Sequence, residues 1–259
     1  MSDYLDKLAH DAKETVAEGY YESLPTGNFS AVSLKKAIIK QKQNAVISEI
    51  KAASPSRGTI RAGFDPAQIA KTMEKGGATS LSVLTEPKHF KGSLSYLAKV
   101  RNAVKFPILM KDIILNPLQI EAGSRIGANV VLLIKALFDR GYCEHSLEEM
   151  IVFAHSKNLE VLLETHNESE FKVAIQTDAD LVGINNRDLR TLKVDIKTTE
   201  KILKKIKTKN KIVVSESGIV VPSDIVFLRN FGADAFLIGS SIMMSDNLEK
   251  TVKEFVTAQ

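Results

Sequence analysis

The stretch AVISEIKAASPSRG, residues 45–58, begins as a β-strand and ends as a loop. Val46 and Ile47 are apolar and β-branched, as is typical of a buried strand. Glu49 and Lys51 interrupt the apolar run and, because they are two residues apart, they point to the same face of the strand. Opposite charges at the end of a buried strand require partners or a function. The loop that follows carries hydroxyls, a cation and a glycine, so it is suited to fold over an anion.

Outward from this stretch, one unit recurs: a short apolar strand, a polar loop, a capped helix and a Gly-Ala-polar turn such as Gly77-Ala78-Thr79. Helix starts are marked at Asp65-Pro66 and Asn116-Pro117, where a capping side chain precedes a proline. Eight apolar strands alternating with helices predict a parallel α/β sheet closed into a (β/α)₈ barrel, or TIM barrel. An open doubly wound sheet is the alternative, which near-equal units without a glycine-rich dinucleotide loop disfavour. The predicted strands are Ala45–Ile50, Ser80–Leu84, Ile108–Lys111, Asn129–Ile134, Glu160–Glu164, Leu181–Ile184, Lys211–Ser215 and Ala235–Ile238.

The first 44 residues precede this barrel pattern. Apolar residues at helical spacing predict two helices there, joined by a connector over residues 20–28 that contains Pro25 and Gly27. We expect these extra N-terminal helices to pack as a cap on one end of the barrel, the alternative being a loose extension. Residues 1–259 are therefore interpreted as a single domain, with an N-terminal helical extension at 1–44 and the barrel at 45–259.

The composition and charge of the chain limit the classes of function that it can have. The 259 residues are 44% hydrophobic and 25% charged, which is ordinary for a globular protein, and the net charge of +4 does not indicate a nucleic-acid surface. The single cysteine, Cys143, rules out a disulfide framework within the chain. No run approaches the roughly 18 apolar residues of a membrane span, and the charged N-terminus lacks the apolar segment of a signal peptide. A cytoplasmic location is expected.

Active-site residues of such barrels come from the C-terminal ends of the strands and the loops after them. Lysines and glutamates gathered in one mouth shift each other's pKa values and exchange protons with a substrate. Sequence alone leaves open whether a lysine acts as an acid or forms a Schiff base. The acid–base candidates are Lys51, Lys111, Glu49, Glu164 and Glu216, and further polar residues at strand ends are Asp112, Asn185, Asn186, Arg187, Ser217 and Ser241.

Small residues after the last two strands indicate a phosphate site. Ser217-Gly218 and Gly239-Ser240 would expose backbone N–H groups at the start of short helices, the alternative being two ordinary glycine turns. Arg187 would add a charge-assisted contact. The five histidines show no metal-ligand spacing, and His166, expected at the start of a helix, is interpreted as lying outside the chemistry.

Several motifs together resemble one known family. They are EIKAASPSRG at 49–58, SVLTE at 82–86, FKGS at 90–93, ILMKD at 108–112, GINNRDL at 183–189, SESGI at 215–219 and FLIGSS at 236–241. With these motifs the chain resembles, over nearly its whole length, the indole-3-glycerol-phosphate synthases of tryptophan biosynthesis. The resemblance implies a decarboxylating, dehydrating ring closure of 1-(2-carboxyphenylamino)-1-deoxyribulose 5-phosphate that needs no cofactor and no metal.

The resemblance also implies roles for single residues. Lys111 matches the general acid, Glu164 matches the general base, and Lys51 matches a residue that binds an anionic group of the substrate or transfers a proton. Glu49 and Asn185 match orienting residues, and Glu216 and Ser217 match residues at the mouth. Substrate-binding positions, mostly for phosphate, are matched by Ser54, Arg187, Gly218, Gly239 and Ser240, whereas Phe90 and Leu132 match the apolar residues that hold the aromatic ring.

The expected partner is a phosphorylated, anionic small molecule, with no nucleic acid and no membrane. Other enzymes of the tryptophan pathway remain open as partners, and the sequence leaves open a monomer or a weak homo-oligomer. Two competing functions are a phosphoribosylanthranilate isomerase-like barrel, for which a Cys/Asp pair at strand ends is expected, and a non-catalytic phosphate-binding barrel. Cys143 does not end a predicted strand, which disfavours the isomerase.

Overall fold

The strands of the barrel follow the predicted pattern. In the computed structural model, which describes residues 3–22, 27, 29–54, 58–208 and 210–259, eight parallel strands pair in chain order and close between the last and the first. They differ from the predicted strands by one residue at some ends, since the sixth includes Asn185 and the seventh includes Glu216. The strands are β1 (Ala45–Ile50), β2 (Ser80–Leu84), β3 (Ile108–Lys111), β4 (Val130–Ile134), β5 (Glu160–Thr165), β6 (Leu181–Asn185), β7 (Ile212–Glu216) and β8 (Ala235–Ile238).

The stretch at 45–58 occupies the closure of the barrel. β1 pairs with β8 on one side, where Val46 lies opposite Phe236, and with β2 on the other, where Glu49 lies opposite Ser82. A two-stranded antiparallel hairpin that the sequence pattern does not predict follows, with Ala53–Ser54 paired to Gly58–Thr59. Residues 55–57 of the anticipated anion-binding loop lie outside the described residues.

Helices connect the strands, and several begin with the caps that the sequence predicts. Asp65 and Asn116 accept hydrogen bonds from the first helical turn before a proline, and Ser146 forms a capping box with Glu149. The helices are α1 (Tyr4–Ala17), α2 (Leu34–Lys40), α3 (Pro66–Lys75), α4 (Leu94–Ala103), α5 (Pro117–Arg125), α6 (Lys135–Asp139), α7 (Leu147–Ser156), α8 (Glu168–Ala174), α9 (Lys197–Lys205), α10 (Pro222–Asn230), α11 (Ser240–Met243) and α12 (Leu248–Val256).

The N-terminal extension packs against the barrel, and its first helix lies at the carboxyl end of the strands. The hydroxyl of Tyr4 is 2.9 Å from Nδ1 of His89, which lies in the loop after β2. Arg140, after β4, forms ion pairs with Asp3 and Asp6 at the start of α1, at 2.8 and 2.6 Å. These contacts fix α1 beside the loops that would carry an active site.

The second helix, α2, covers the opposite end of the barrel. Glu160, the first residue of β5, accepts hydrogen bonds from the backbone N–H groups of Leu34 and Lys35 at 2.8 and 3.1 Å, and from the Ser33 hydroxyl. A carboxylate at this position satisfies N–H groups that have no partner within the helix and interacts favourably with the helix dipole. The extension therefore contributes a helix to each end of the barrel. Residues 23–26 and 28 of the expected connector lie outside the described residues.

Two sets of buried side chains hold this arrangement together. One fills the barrel interior and continues without a break into both N-terminal helices, through residues such as Leu8 of α1, Leu132 and Leu162 of the strands and Ile38 of α2. The other lies between the strands and the outer helices. Since burial of apolar surface dominates folding, the extension is part of the core of the domain.

Replacing Glu160 by alanine is expected to lower the free energy of unfolding by about 1.5–3 kcal/mol, because the N-terminus of α2 loses a charged hydrogen-bond acceptor. Urea titration followed by circular dichroism measures this loss. Glu148→Ala, an exposed glutamate in the first turn of α7, is the control and should change stability by less than about 0.5 kcal/mol. Equal effects of the two variants would contradict a specific role for Glu160.

Candidate active site

A cavity of about 380 Å³ opens where the strands end. Its lining comes from the ends of most barrel strands, from the loops after them and from α1. All of the residues proposed from sequence for catalysis or binding line it, with the exception of Glu216. They are Glu49, Lys51, Ser54, Phe90, Lys111, Leu132, Glu164, Asn185, Arg187, Ser217, Gly218, Gly239 and Ser240.

Lys111 lies at the centre of the charged part of this cavity. Its Nζ atom is 2.6 Å from Oε2 of Glu216, 3.7 Å from Oε2 of Glu164 and 3.8 Å from Oε2 of Glu49. The three glutamates extend from three different strands, β7, β5 and β1. The barrel thus brings residues more than 160 positions apart in the chain onto one ammonium group.

Lys51 and Lys111 share a single carboxylate. Nζ of Lys51 is 2.6 Å from Oε1 of Glu49, the oxygen that does not face Lys111. The same-face geometry expected for Glu49 and Lys51 is confirmed by this contact. The two lysines therefore flank Glu49, and an anionic group above them would meet two cations at once.

The carboxylates hold Lys111 in its charged form. Burial by itself favours the neutral amine, but attraction to Glu216, Glu164 and Glu49 outweighs it and raises the pKa of Lys111 above its ordinary value. Burial likewise opposes ionisation of Glu49, and the neighbouring Lys51 and Lys111 override it, so the pKa of Glu49 is lowered. Lys111 is therefore an ammonium group at neutral pH.

The pKa values of two carboxylates that share Lys111 are shifted in opposite directions from the ordinary value of a glutamate. Burial raises the pKa of Glu216 to about 7, since Lys111 offsets only part of that effect and the negative Glu164 adds to it. Burial also acts on Glu164, but His166, Lys111 and Asn185 outweigh it and hold its pKa at about 2. Of this pair, the first proton is taken up by Glu216.

Glu216, which the resemblance matches to a residue at the mouth, is not among the residues that line the cavity. Its side chain is fully buried below the cavity, and among the described residues its Oε1 atom has no hydrogen-bond partner. Gly183 of β6 makes room for that oxygen, since a Cβ atom there would lie 2.2 Å from it. Glu216 thus acts on the cavity through Lys111.

A second glycine makes room for the other half of the charged cluster. A Cβ atom on Gly239, the residue after β8, would lie 2.3 Å from Oε1 of Glu49 and 2.9 Å from Nζ of Lys51. Gly239 therefore has a packing reason in addition to the exposed backbone N–H group that the sequence suggests.

The rim formed by the residues after β7 and β8 has some of the features expected of the phosphate site. Gly239 precedes a short helix, α11, as expected, whereas residues 217–221 form a loop that leads directly into α10. Ser217 and Gly218 have φ values of +65° and +83°, a conformation that costs energy for a serine. Asn186 supports it, because its side-chain amide donates to the Ser217 carbonyl at 3.0 Å.

The opposite wall of the cavity is apolar and includes Phe90 and Leu132, as expected, together with Leu84 and Ile134. Sequence reasoning missed how Phe90 is held. Glu86 accepts hydrogen bonds from the backbone N–H groups of residues 88, 89 and 90 at 2.8–2.9 Å, which fixes this loop. Glu86 comes directly after the strand-end residues SVLT, and this position was the sequence signal for a role in fixing the loop.

Two further contributions to the site were not anticipated. Tyr4 and Leu8 of α1 line the cavity, so the N-terminal extension forms part of the pocket. His166, interpreted from sequence as outside the chemistry, has its Nε2 atom 3.1 Å from Oε1 of Glu164. It precedes α8 by two residues, and because it is two residues after Glu164 it returns to the same side of the strand.

Metal binding and membrane crossing have no support in the described part of the chain. Within it, no three His, Cys, Asp or Glu side chains are arranged to hold a metal ion. None of its helices has the length and the apolar character needed to cross a membrane.

A closed eight-stranded α/β barrel with lysines and glutamates gathered at the carboxyl ends of its strands defines a TIM-barrel enzyme with acid–base groups in its pocket. The family model described as indole-3-glycerol phosphate synthase matches residues 5–255. The chain belongs to this family, whose members are decarboxylating lyases of tryptophan biosynthesis.

Relatives carry the name of this family, and a solved structure shares the fold. A protein named indole-3-glycerol phosphate synthase from Caldanaerobacter subterraneus subsp. tengcongensis is 42% identical over 260 residues, covering 97% of either chain. A protein of the same name from Methanocaldococcus jannaschii is 48% identical over 86% of this chain and 82% of its own. The solved structure of thiamine phosphate pyrophosphorylase from Pyrococcus furiosus shares the fold, with a TM-score of 0.59 and 16% identity over 84% of this chain and 95% of that one.

Replacing Gly183 by alanine is expected to destabilise the protein by about 1–3 kcal/mol, because the new methyl group meets the buried Glu216 carboxylate. In a Glu216→Ala background the same substitution has no carboxylate to meet and should have a much smaller effect. Urea titration of the wild type, both single variants and the double variant measures the coupling, expected to be about 1 kcal/mol or more. Additive effects would contradict the contact.

Asp112 gives a prediction for pH dependence. Its buried carboxyl accepts hydrogen bonds from Thr85 and Tyr21, and burial raises its pKa to about 7. The folded protein keeps this proton up to about pH 7 and the unfolded chain loses it near pH 4, so this carboxyl opposes folding increasingly as pH rises between these values. Asp112→Asn removes the effect.

Relative to wild type, the Asp112→Asn variant should therefore gain about 2 kcal/mol in free energy of unfolding between pH 5 and pH 8. Urea titrations at several pH values measure the difference, and comparison with wild type cancels the contributions of other groups. A difference that stays constant with pH would show that Asp112 does not titrate in this range.

Proposed function

We propose that this protein closes the indole ring of 1-(2-carboxyphenylamino)-1-deoxyribulose 5-phosphate, releasing carbon dioxide and water and forming indole-3-glycerol phosphate. The observation that carries the proposal is the position of Lys111, an ammonium group held by three carboxylates between an apolar wall and a rim rich in glycine and serine. A substrate with a flat aromatic ring at one end and a phosphate at the other matches these two sides.

Lys111 is the proposed general acid. When the ring carbon that bears the carboxylate attacks the ketone carbon, the carbonyl oxygen gains the electron pair and becomes a stronger base than an amine. Proton transfer from Lys111 to that oxygen is then favourable even though the pKa of Lys111 is raised. Loss of carbon dioxide restores the aromatic ring and leaves a hydroxyl group to be eliminated.

Glu164 is the proposed base of the dehydration that follows. It accepts a proton from the new five-membered ring, while the hydroxyl group leaves as water after taking a proton from Lys51 or from Lys111 once Lys111 has been protonated again. The buried Glu164 carboxylate lies 3.7 Å from Nζ of Lys111 and is kept ionised by its neighbours. Asn185 and Glu49 are the proposed orienting residues, each in contact with a charged group of the site.

The remaining predicted residues divide between the two ends of the substrate. Phe90 and Leu132 provide the apolar wall for the aromatic ring. Lys51, beside the rim, provides a cation for an anionic group. The proposed phosphate contacts are Ser54, Arg187, Ser217, Gly218, Gly239 and Ser240, all of which line the cavity.

The two competing functions fit the site less well. A Cys/Asp acid–base pair requires a thiol at the cavity, whereas Cys143 follows α6, does not line the cavity and has its pKa raised to about 12 by burial. A non-catalytic barrel has no requirement for a buried lysine surrounded by three carboxylates, an arrangement that is costly to desolvate.

Lys111→Ala is expected to reduce kcat by at least about 10²-fold, because the proton donor of ring closure is removed. Fluorescence of the indole product, followed with the purified protein and the carboxyphenylamino substrate, measures the rate. Lys204→Ala on the exposed face of α9 is the control and should leave the rate unchanged. No product from the wild type would refute the proposed function, and a near-normal kcat for Lys111→Ala would make Lys51 the next candidate acid.

A further inference from the structure

His166 connects the charged cluster to the start of α8. On one side its Nε2 atom lies 3.1 Å from Oε1 of Glu164, an ion-pair contact in which Nε2 makes no hydrogen bond to a described residue, and on the other its Nδ1 atom lies 3.4 Å from Oε2 of Glu170. The same Glu170 oxygen accepts the backbone N–H of His166 at 2.8 Å. Both carboxylates and the imidazole are largely buried, with 2%, 11% and 12% of their side chains exposed.

The Glu170 side of this contact is held by hydrogen bonds at the start of α8. Glu170 lies in the first turn of α8, and its own backbone N–H is capped by Asn167 at 2.9 Å, while the Asn167 amide also donates to the Glu170 carboxylate. Glu170 is therefore fixed by the start of the helix, and it fixes the imidazole in turn. His166 itself does not line the cavity, so a substrate would meet it only through Glu164.

The consequence is an asymmetry between the two carboxylates that share Lys111. Glu164 has its Oε2 atom towards Lys111 and its Oε1 atom towards His166, so each oxygen faces a cation. Glu216 has Lys111 on one oxygen only, and its Oε1 atom has no hydrogen-bond partner in the described part of the protein. Both carboxylates are buried and pair with Lys111, which lies nearer to Glu216, whereas Glu164 has a further hydrogen bond from Asn185.

We propose that His166 is a positioning residue, which, placed between Glu164 and Glu170, sets a second cation against Glu164 and so helps to keep Glu164 the ionised carboxylate beside Lys111. The value of this contact for catalysis rests on the proposed function of Glu164 as the base. The pKa values agree with the geometry. Although burial opposes its charge, contacts with Glu164 and Glu170 raise the pKa of His166 to about 9, so it is a cation at neutral pH.

The titratable groups that act on this pair come from several elements. Lys111 of β3 and His166 face Glu164 directly, Glu49 of β1 and Glu216 of β7 act on it through their shared position around Lys111, and Glu170 of α8 faces His166. Replacing His166 by a neutral residue removes one cation from this set and leaves the others in place.

The test uses His166→Gln, which keeps a polar side chain and removes the charge. In protein labelled with ¹³C at the glutamate carboxyl groups, the Glu164 signal is assigned by its loss in Glu164→Gln. In His166→Gln its titration midpoint should rise by about 1–3 pH units, as expected when an opposite charge at this distance is removed. The Glu216 signal, assigned in the same way, should move much less, since Glu164 remains ionised in the range where Glu216 titrates.

The matched control is His155→Gln. His155 also pairs with a carboxylate, Asp180, at 2.9 Å, but on the outer surface of the barrel. The Glu164 midpoint should not move in this variant. His166→Lys, which restores a cation, should return the midpoint most of the way to its wild-type value, whereas a role limited to filling space would give no such rescue.

The pH dependence of activity provides an independent test. In His166→Gln the acid limb of the kcat/KM profile should shift to higher pH by about the same 1–3 units, with KM little changed because His166 does not line the cavity. An unchanged Glu164 midpoint in a folded His166→Gln protein would overturn the proposal. If the midpoints move as expected but the wild type forms no product, the proposed function fails and the positioning role of His166 stands.

Discussion

Confinement of the Lys111 ammonium group among three carboxylates is the constraint on which the rest of the site depends. A single buried charge would be neutralised or exposed to water, since desolvation outweighs any other effect on an unpaired ion. The partners Glu49, Glu164 and Glu216 come from three strands that are far apart in the chain, so only a closed barrel brings them within 4 Å of one amine. Fold and chemistry are for this reason inseparable in this protein.

A cluster with two lysines and three glutamates carries more negative than positive charge when all of them are ionised. Glu216 and Glu164 differ in how readily they take up a proton. The Glu216 carboxyl, buried over Gly183 with one oxygen unpaired, is the group most easily protonated. The Glu164 carboxyl has a second cation in His166 and remains ionised. Two chemically identical side chains thus acquire different pKa values from their surroundings.

Much of the fold was predictable because it is encoded locally. Strands such as 45–50 are apolar and β-branched, and helix caps such as Asp65-Pro66 occur where the chain leaves a loop, so element type and order follow from short-range preferences. Most of the site was predictable as well, since barrel enzymes place their polar residues at strand ends. The position of Glu216 below the cavity and the contact of His166 with Glu164 were not, because both depend on distances between segments that are not adjacent in sequence.

The sequence by itself determined the barrel, the family and the set of polar residues that reach its mouth, because periodicity, capping residues and motif spacing are properties of the chain. Only the tertiary structure decided how the charges are paired: that Lys51 and Lys111 flank Glu49, that Glu216 reaches the cavity through Lys111, and that α1 and α2 cover opposite ends. The physical reason is that electrostatic energy and packing depend on separations of a few ångströms, which are fixed when the barrel closes and all eight strands take their register.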